Sequence, residues 1–232
     1  MKIVIDTRCD NQCSGKEGNE MMISAEEKEK RREEMLAAAF RLFSEQSIDS
    51  VQMEDIAKET GYTRRSLNRY FCDKDNLVVE VSAWAMESFT KVNRKRSPEK
   101  TGTAAETYAF FLDSFLRMYR EHSDILRFNQ HFNIYVKARG IDAEQLMPYS
   151  GMIDAIKERF HAVYLRGEQD GTLRTDIPEE KIFSATLHLM LAAVTRYAVG
   201  LAYETGVAPE EELMTLRNML YKEYTITKKY DV

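Results

Sequence analysis

The sequence has few of the features that mark secreted, membrane-spanning or metal-binding proteins. Its 232 residues include three cysteines, Cys9, Cys13 and Cys72, whose spacing forms neither a disulfide framework nor a paired zinc motif. No apolar run approaches the roughly 18 residues that suggest a membrane span, and residues 1–23 are a poor signal peptide. We therefore expect a cytoplasmic protein without a metal, a cofactor or a membrane partner, and a disordered extension over residues 1–23.

Motifs of common catalytic sites are also missing from the sequence. It contains no GxSxG elbow, no HExxH pair, no P-loop and no GxGxxG turn. Aspartate and glutamate are abundant but scattered, mostly near lysine or arginine, as on solvated helix faces. We therefore expect a protein that is not an enzyme.

What the sequence does have is a helical periodicity from residue 25 onward, with no convincing alternating strand. Polar residues that can cap helices precede several apolar stripes, at Ser24, Ser50, Thr63, Asp73 and Ser123. A break is expected over 167–171. The predicted helices span about 25–45, 51–59, 63–70, 74–97, 103–120, 124–138, 149–168, 178–203 and 210–224.

One short segment reverses the sign of the charge. The chain carries a net charge of −5, so it is not a general binder of polyanions. Between residues 58 and 74, however, five cations face two anions, which gives a local charge of +3. The cations are Lys58, Arg64, Arg65, Arg69 and Lys74, and the anions are Glu59 and Asp73.

The same segment has the pattern of a helix-turn-helix. A short helix, a turn at Gly61 and a second short helix follow one another, and the second helix of this motif lies in the DNA major groove. Leu67 and Phe71 are four residues apart and share the face that would be buried. We predict an all-α fold: an N-terminal three-helix helix-turn-helix DNA-binding domain at 24–73, and a C-terminal helical ligand-binding and dimerisation bundle at 74–232.

The exposed side chains of the second short helix are of types that contact DNA. Arginine pairs bidentately with guanine and asparagine with adenine, which predicts base contacts for Arg64, Arg65 and Asn68. Their hydroxyl and cationic neighbours are of types that bind phosphates. The full predicted set is Gln52, Thr63, Arg64, Arg65, Ser66, Asn68, Arg69, Tyr70 and Lys74.

A chain of motifs over residues 26–80 resembles the N-terminal domain of TetR/AcrR-type transcriptional regulators. The motifs are FRLF at 40–43, MEDIAKETG at 53–61, LNRYF at 67–71 and KDNL at 74–77. The resemblance implies a homodimer on a palindromic DNA operator, usually a repressor, that senses a small molecule. Gln52, Arg65 and Asn68 depart from the residues usual in the family, which implies a different operator.

The last two predicted helices are candidates for the dimer interface, as a four-helix bundle formed by two subunits. Two apolar stripes carry this prediction, and the alternative is that both stripes pack only inside the monomer. The stripes consist of Phe183, Leu187, Met190, Val194 and Tyr197, and of Leu213, Leu216 and Leu220.

The middle helices are rich in aromatic residues and methionine, which suits a pocket for an apolar or aromatic effector. The alternative is that these residues form an ordinary core. The candidate lining residues are Tyr108, Phe111, Phe115, Phe128, Phe132, Tyr135, Met152, Phe160 and Tyr164, with Asn129, His131, His161 and His188 as possible polar anchors.

Two functions are therefore open. The first is a ligand-responsive regulator, in which the helix at 74–97 transmits the shape of the bundle to the DNA-binding helices. The second is a helical protein-interaction adaptor whose helix-turn-helix no longer binds DNA. Arg64, Arg65, Tyr70 and Lys74 favour the first.

Overall fold

The computed structural model describes residues 24–98, 101–201 and 206–226. The predicted extension at 1–23 lies outside the described residues. The helices are α1 (Ala25–Glu45), α2 (Met53–Thr60), α3 (Arg64–Phe71), α4 (Lys74–Arg94), α5 (Ala104–Glu121), α6 (Ser123–Arg139), α7 (Met147–Asp170), α8 (Glu179–Ala198) and α9 (Pro209–Tyr224), with a 3₁₀ turn at Ile48–Ser50.

The all-α prediction is confirmed. In the described part of the chain, the only pairing of extended backbone is a single bridge between Leu173 and Thr225. None of the helices described here is long and apolar enough to cross a membrane.

Three predicted helix caps form as the sequence indicates. The side chains of Ser24, Thr63 and Asp73 accept hydrogen bonds from backbone N–H groups three residues later, at 3.1, 3.1 and 2.8 Å. Each bond satisfies one of the N–H groups that a helix leaves unpaired in its first turn. These caps define where α1, α3 and α4 begin.

Two other predicted caps are wrong. The hydroxyl of Ser50 binds the carbonyl of Ser47 within the 3₁₀ turn (2.7 Å), so α2 begins later. Asp55 accepts the backbone N–H of Gln52 (2.7 Å) as part of a capping box. Ser123 is the first residue of α6, not the residue before it.

The predicted break at 167–171 is also wrong for its first four residues. Helix α7 continues to Asp170, and Gly171, whose φ of 65° is left-handed, follows as its cap. Gly167 serves packing, because a Cβ placed there would lie 2.7 Å from Cβ of Leu173. A small residue lets the segment after α7 fold back onto the helix.

The hydrophobic interior forms two clusters. The N-terminal core joins α1, α2, α3 and the first half of α4 to aromatic residues of α6, namely Phe128, Phe132 and Tyr135. The C-terminal core joins Phe89 of α4 to α5, α7, α8 and α9. The predicted domain boundary at residue 73 is therefore crossed by the N-terminal core, which includes residues from both sides of it.

Candidate nucleic-acid interface

A three-residue turn joins α2 to α3. Gly61 has a φ of 73° and closes α2 in the left-handed conformation that glycine adopts without strain. The next residue, Tyr62, donates from its hydroxyl to Glu34 on α1 (2.7 Å). The turn is thus fixed against α1, and Thr63 then caps α3. This is the helix-turn-helix that the sequence predicts.

An apolar base holds α3 in place. Leu67 and Phe71 are 0% and 1% exposed, so the inward face of α3 is fully buried in the N-terminal core. The guanidinium of Arg32 lies 5.7 Å from the centre of the Phe71 ring and also pairs with Glu80 of α4. Burial raises the pKa of Glu80, and Arg32 opposes that shift. Arg32 of α1 therefore contacts both α3 and α4 on the side of α3 that faces away from solvent.

The nine predicted DNA-binding residues lie on or beside the opposite face of α3. Gln52, Thr63, Arg64, Arg65, Asn68 and Arg69 are exposed, and Ser66, Tyr70 and Lys74 are half-buried. Gln52 precedes α2 and Lys74 begins α4, so both flank α3. We call this set the α3 surface.

A carboxylate that the sequence analysis did not single out lies on the α3 surface. Glu54 in the first turn of α2 accepts a hydrogen bond from Nη1 of Arg64 at 2.5 Å. Both residues line a cleft of about 480 Å³ together with Gln52, Met53, Asn68, Cys72, Asp73 and Lys74. Spacing along the chain gives no signal for this pair, because ten residues and a turn separate its members.

Cys72 ends α3 and departs from expectation. It is disulfide-bonded, which the sequence analysis did not predict. Cys72 is also the one described residue other than glycine with a positive φ, at 60°.

Lys74 connects the α3 surface to the bundle. Its ammonium lies 3.4 Å from the carbonyl of Asp49 and 5.6 Å from the centre of the Tyr135 ring on α6. Burial lowers the pKa of Lys74, while Asp49 and Asp75 oppose that change. A cation on the α3 surface is therefore held partly by a helix of the C-terminal part.

Helix α6 contacts the N-terminal helices through three further polar contacts. Tyr135 donates to Asp75 at the start of α4 (2.5 Å), and Arg139 reaches the same carboxylate (3.3 Å). Burial, with the hydrogen bond to Asp75 second, strongly raises the pKa of Tyr135. His131 binds the carbonyl of Phe43 at the end of α1 (2.7 Å). We call these contacts the α6 junction.

The structure divides the predicted pocket residues between the two cores. Phe128, Phe132 and Tyr135 belong to the N-terminal core, and Met152 is partly buried on α7. The rest pack in the C-terminal core, where Tyr108, Phe111, Phe115, Phe160 and Tyr164 lie.

Contacts within the C-terminal core are close. The ring of Phe111 lies 5.7 Å from that of Phe160, and Phe160 lies 5.4 Å from Phe183. Tyr108 pairs with the hydroxyl of Thr186 (2.8 Å). Of the predicted polar anchors, His161 and His188 contact surface side chains, and Asn129 is half-buried. The nine residues therefore do not line one shared pocket in this conformation.

Most of the predicted dimer residues are buried within one chain, as the alternative interpretation holds. Phe183, Met190, Val194, Leu213 and Leu220 are 0–7% exposed, because α8 and α9 turn these stripes toward the C-terminal core. In this conformation these five side chains therefore present almost no area to a partner subunit. Leu187, Tyr197 and Leu216 keep exposed area, and Leu189 and Met219 are 49% and 63% exposed beside them.

Within the described ranges, no three histidine, cysteine, aspartate or glutamate side chains are grouped as a metal site requires.

A comparison with known protein families finds a match in the segment that contains the helix-turn-helix. Residues 35–81 match the family of bacterial regulatory proteins of the tetR type, which confirms the resemblance. The matched range begins inside α1 and ends in α4, and so contains the whole helix-turn-helix. No curated protein matches the chain in sequence.

Solved structures extend the similarity to the rest of the fold. A protein from Saccharomonospora viridis in complex with choline has a TM-score of 0.69 at 15% identity, covering 86% of this chain and 100% of that one. The regulator FadR from Bacillus subtilis in complex with stearoyl-CoA has a TM-score of 0.66 at 15% identity, over 82% and 97%. A TetR family transcription regulator from Marinobacter aquaeolei VT8 has a TM-score of 0.64 at 16% identity, over 88% and 100%. The chain thus has the TetR-regulator fold.

Proposed function

We propose that this protein is a sequence-specific DNA-binding transcriptional regulator, acting in the cytoplasm as a repressor rather than as an enzyme. The observation that carries the proposal is the α3 surface: exposed cations and an amide on a helix whose opposite face is fully buried. A rigid cationic helix of this kind fits the major groove, while the net negative charge of the chain disfavours contact elsewhere.

The residues of the α3 surface divide by their chemistry. Arg64, Arg65 and Asn68 have donor and acceptor groups that distinguish base edges. The other members bind the sugar-phosphate backbone and set the register, namely Gln52, Thr63, Ser66, Arg69, Tyr70 and Lys74.

A homodimer on a palindromic operator follows from the size of the motif. One helix-turn-helix reads only a few base pairs, and two copies related by a two-fold axis place their α3 helices about 34–36 Å apart. The exposed faces of α8 and α9 are the surface that we propose for the contact, with Leu187, Leu189 and Met219 at its centre.

A small-molecule effector is supported by the two structural neighbours solved with choline and with stearoyl-CoA. We propose that an apolar or aromatic ligand binds between the aromatic side chains of the C-terminal core and moves them apart. The α6 junction would pass that change to α1 and α4 and so alter the spacing of the α3 helices. A coupling of about 1–3 kcal/mol changes DNA affinity by roughly 5–150-fold.

Selection of bound fragments from a random DNA pool tests the proposal. We expect a palindromic sequence, and an affinity that falls steeply with salt because bound cations displace counterions from phosphates. A protein that binds no duplex at low ionic strength, with or without candidate effectors, would refute the regulator function.

The second candidate is the helical protein-interaction adaptor. The observation in its favour is that Arg64 already donates a hydrogen bond to the Glu54 carboxylate, so part of its charge is neutralised within the protein. A gel shift with the DNA that flanks the gene separates the two, because an adaptor would not retard it.

A further inference from the structure

Glu54 reaches the first residue of α3 from the neighbouring helix. Its Oε1 accepts a hydrogen bond from Nη1 of Arg64 over 2.5 Å, although the two side chains remain 57% and 61% exposed. Exposed ion pairs of this kind contribute little to stability. The importance of the pair lies in its place, since it stands in the cleft between the start of α2 and the exposed face of α3.

The pairing leaves Arg64 able to bind a base. A guanidinium carries five N–H donors in a planar fork, Glu54 takes a hydrogen bond from one nitrogen, and a bidentate contact with guanine needs two donors. A side chain that is already held loses less conformational freedom on binding. We infer that Glu54 is a positioning residue for DNA recognition, which orients Arg64 so that its remaining donors face one base pair. This inference rests on the proposed function.

The carboxylate has a second effect of opposite sign. A negative charge beside the groove repels phosphates and lowers affinity for every DNA sequence alike. Removal of Glu54 should therefore raise affinity for random DNA and at the same time weaken the preference for the correct base pair. A residue with only a structural role would not produce this combination.

Glu59 provides a matched control on the same helix. It pairs with Arg41 of α1, so its partner lies outside α3, and it is exposed as Glu54 is. Glu59→Ala removes the same charge from α2 and leaves Arg64 in place. We expect it to leave base-pair preference unchanged.

The experiment uses the full chain and the operator selected by the wild type, together with every single base-pair variant of that operator. Fluorescence anisotropy titrations compare the wild type, Glu54→Ala, Glu54→Gln, Glu59→Ala, Arg64→Ala and the double variant Glu54→Ala/Arg64→Ala. We expect Arg64→Ala to lose roughly 5- to 150-fold of discrimination at one base pair, and Glu54→Ala roughly threefold or more at the same pair. Glu54→Gln, which keeps an acceptor, should lose less.

Two results would overturn the inference while leaving the regulator intact. One is a Glu54→Ala variant with wild-type base preference. The other is that Glu54→Ala lowers base-pair discrimination by the same factor in the Arg64→Ala background as in the wild type. That result would mean that Glu54 acts independently of Arg64. A wild type that selects no DNA sequence overturns the proposed function and the inference together. Circular dichroism of each variant confirms that the helices are retained.

Discussion

The imidazole of His131 on α6 binds the main-chain carbonyl of Phe43 at the end of α1, at 2.7 Å and 88 positions away along the chain. Phe43 is in the last turn of α1, where carbonyl groups have no partner within the helix. A residue of the C-terminal part thus gives one carbonyl in the last turn of the first helix a hydrogen-bond partner. The contact is part of the α6 junction, through which we propose that an effector acts.

Replacing His131 by alanine should lower the free energy of unfolding by about 1 kcal/mol, because the Phe43 carbonyl loses its partner. Urea unfolding followed by the fluorescence of Trp84 measures this, since the single tryptophan packs against the N-terminal core. His188→Ala is the control: its imidazole is exposed and contacts Ser184 on the same helix, so a change within about 0.5 kcal/mol is expected. Equal losses in both variants would mean that the contact with Phe43 contributes nothing.

Arg65 and Lys74 should respond differently to substitution. Arg65→Ala is expected to cost about 1–3 kcal/mol on the selected operator and to relax the sequence preference at one position. Lys74→Ala should weaken all sequences nearly equally and make the salt dependence shallower by about one phosphate contact. Titrations at several salt concentrations on operator and random DNA separate the two effects. If both variants behave alike, the division into base-reading and backbone-binding residues is wrong.

Two glycines of α7 should respond to alanine with opposite signs. At Gly167 a Cβ would lie 2.7 Å from Cβ of Leu173, and such overpacking costs about 1–3 kcal/mol. At Gly151 no atom beyond the adjoining helix backbone lies within 4 Å of the added Cβ, and alanine stabilises a helix by roughly 0.5–1 kcal/mol over glycine. Thermal unfolding of the two variants gives the comparison. A stabilising Gly167→Ala would show that the segment after α7 moves aside freely.

Glu80 should give the stability a measurable pH dependence. Burial raises its pKa above the ordinary value of 4.5, so the folded state binds more protons than the unfolded one above that pH. The contribution of Glu80 to stability therefore falls as pH rises through the raised pKa. Glu80→Gln lacks this dependence. We therefore expect the difference in unfolding free energy, taken as variant minus wild type, to increase as the pH rises above 4.5.

Urea unfolding of both proteins at several pH values gives this difference. The contributions of all other carboxyl groups cancel in it, because the two proteins share them. A difference that shrinks with rising pH would mean that Arg32 dominates and that the pKa of Glu80 is lowered.

Sedimentation should detect a species of twice the 27.0 kDa chain mass at micromolar concentration. Leu189→Glu places a charge on the exposed face of α8 and is expected to shift the protein toward monomer. Ile134→Glu is the control, because Ile134 is comparably exposed and lies on α6, which is not part of the surface proposed for the contact. A wild type that sediments as a single chain would contradict the proposed dimer.

Local signals explain which parts of the fold could be predicted. The caps at Ser24, Thr63 and Asp73 and the left-handed Gly61 each depend on residues within about four positions, and all are in the structure. Contacts between distant segments left no such signal. Gly167 could not be distinguished from a helix-breaking glycine, because its partner Leu173 is known only once the chain folds back.

The same limit applies to the candidate site. Periodicity placed Leu67 inward and Arg65 outward on α3, as the structure has them. It also grouped the aromatic residues of the middle helices together, although Phe128 and Phe132 pack in the N-terminal core. A periodic pattern shows that a face is buried, but not which neighbouring element buries it.

The participation of Phe128, Phe132 and Tyr135 in the N-terminal core has a practical consequence for protein engineering. A fragment cut after residue 73 would leave the apolar sides of α1 and α3 open to water, and would aggregate or unfold instead of binding its target. Transferring the DNA preference that we propose for this chain therefore requires grafting the outer residues of α3 alone, or carrying α4 and α6 along with the transplanted helices.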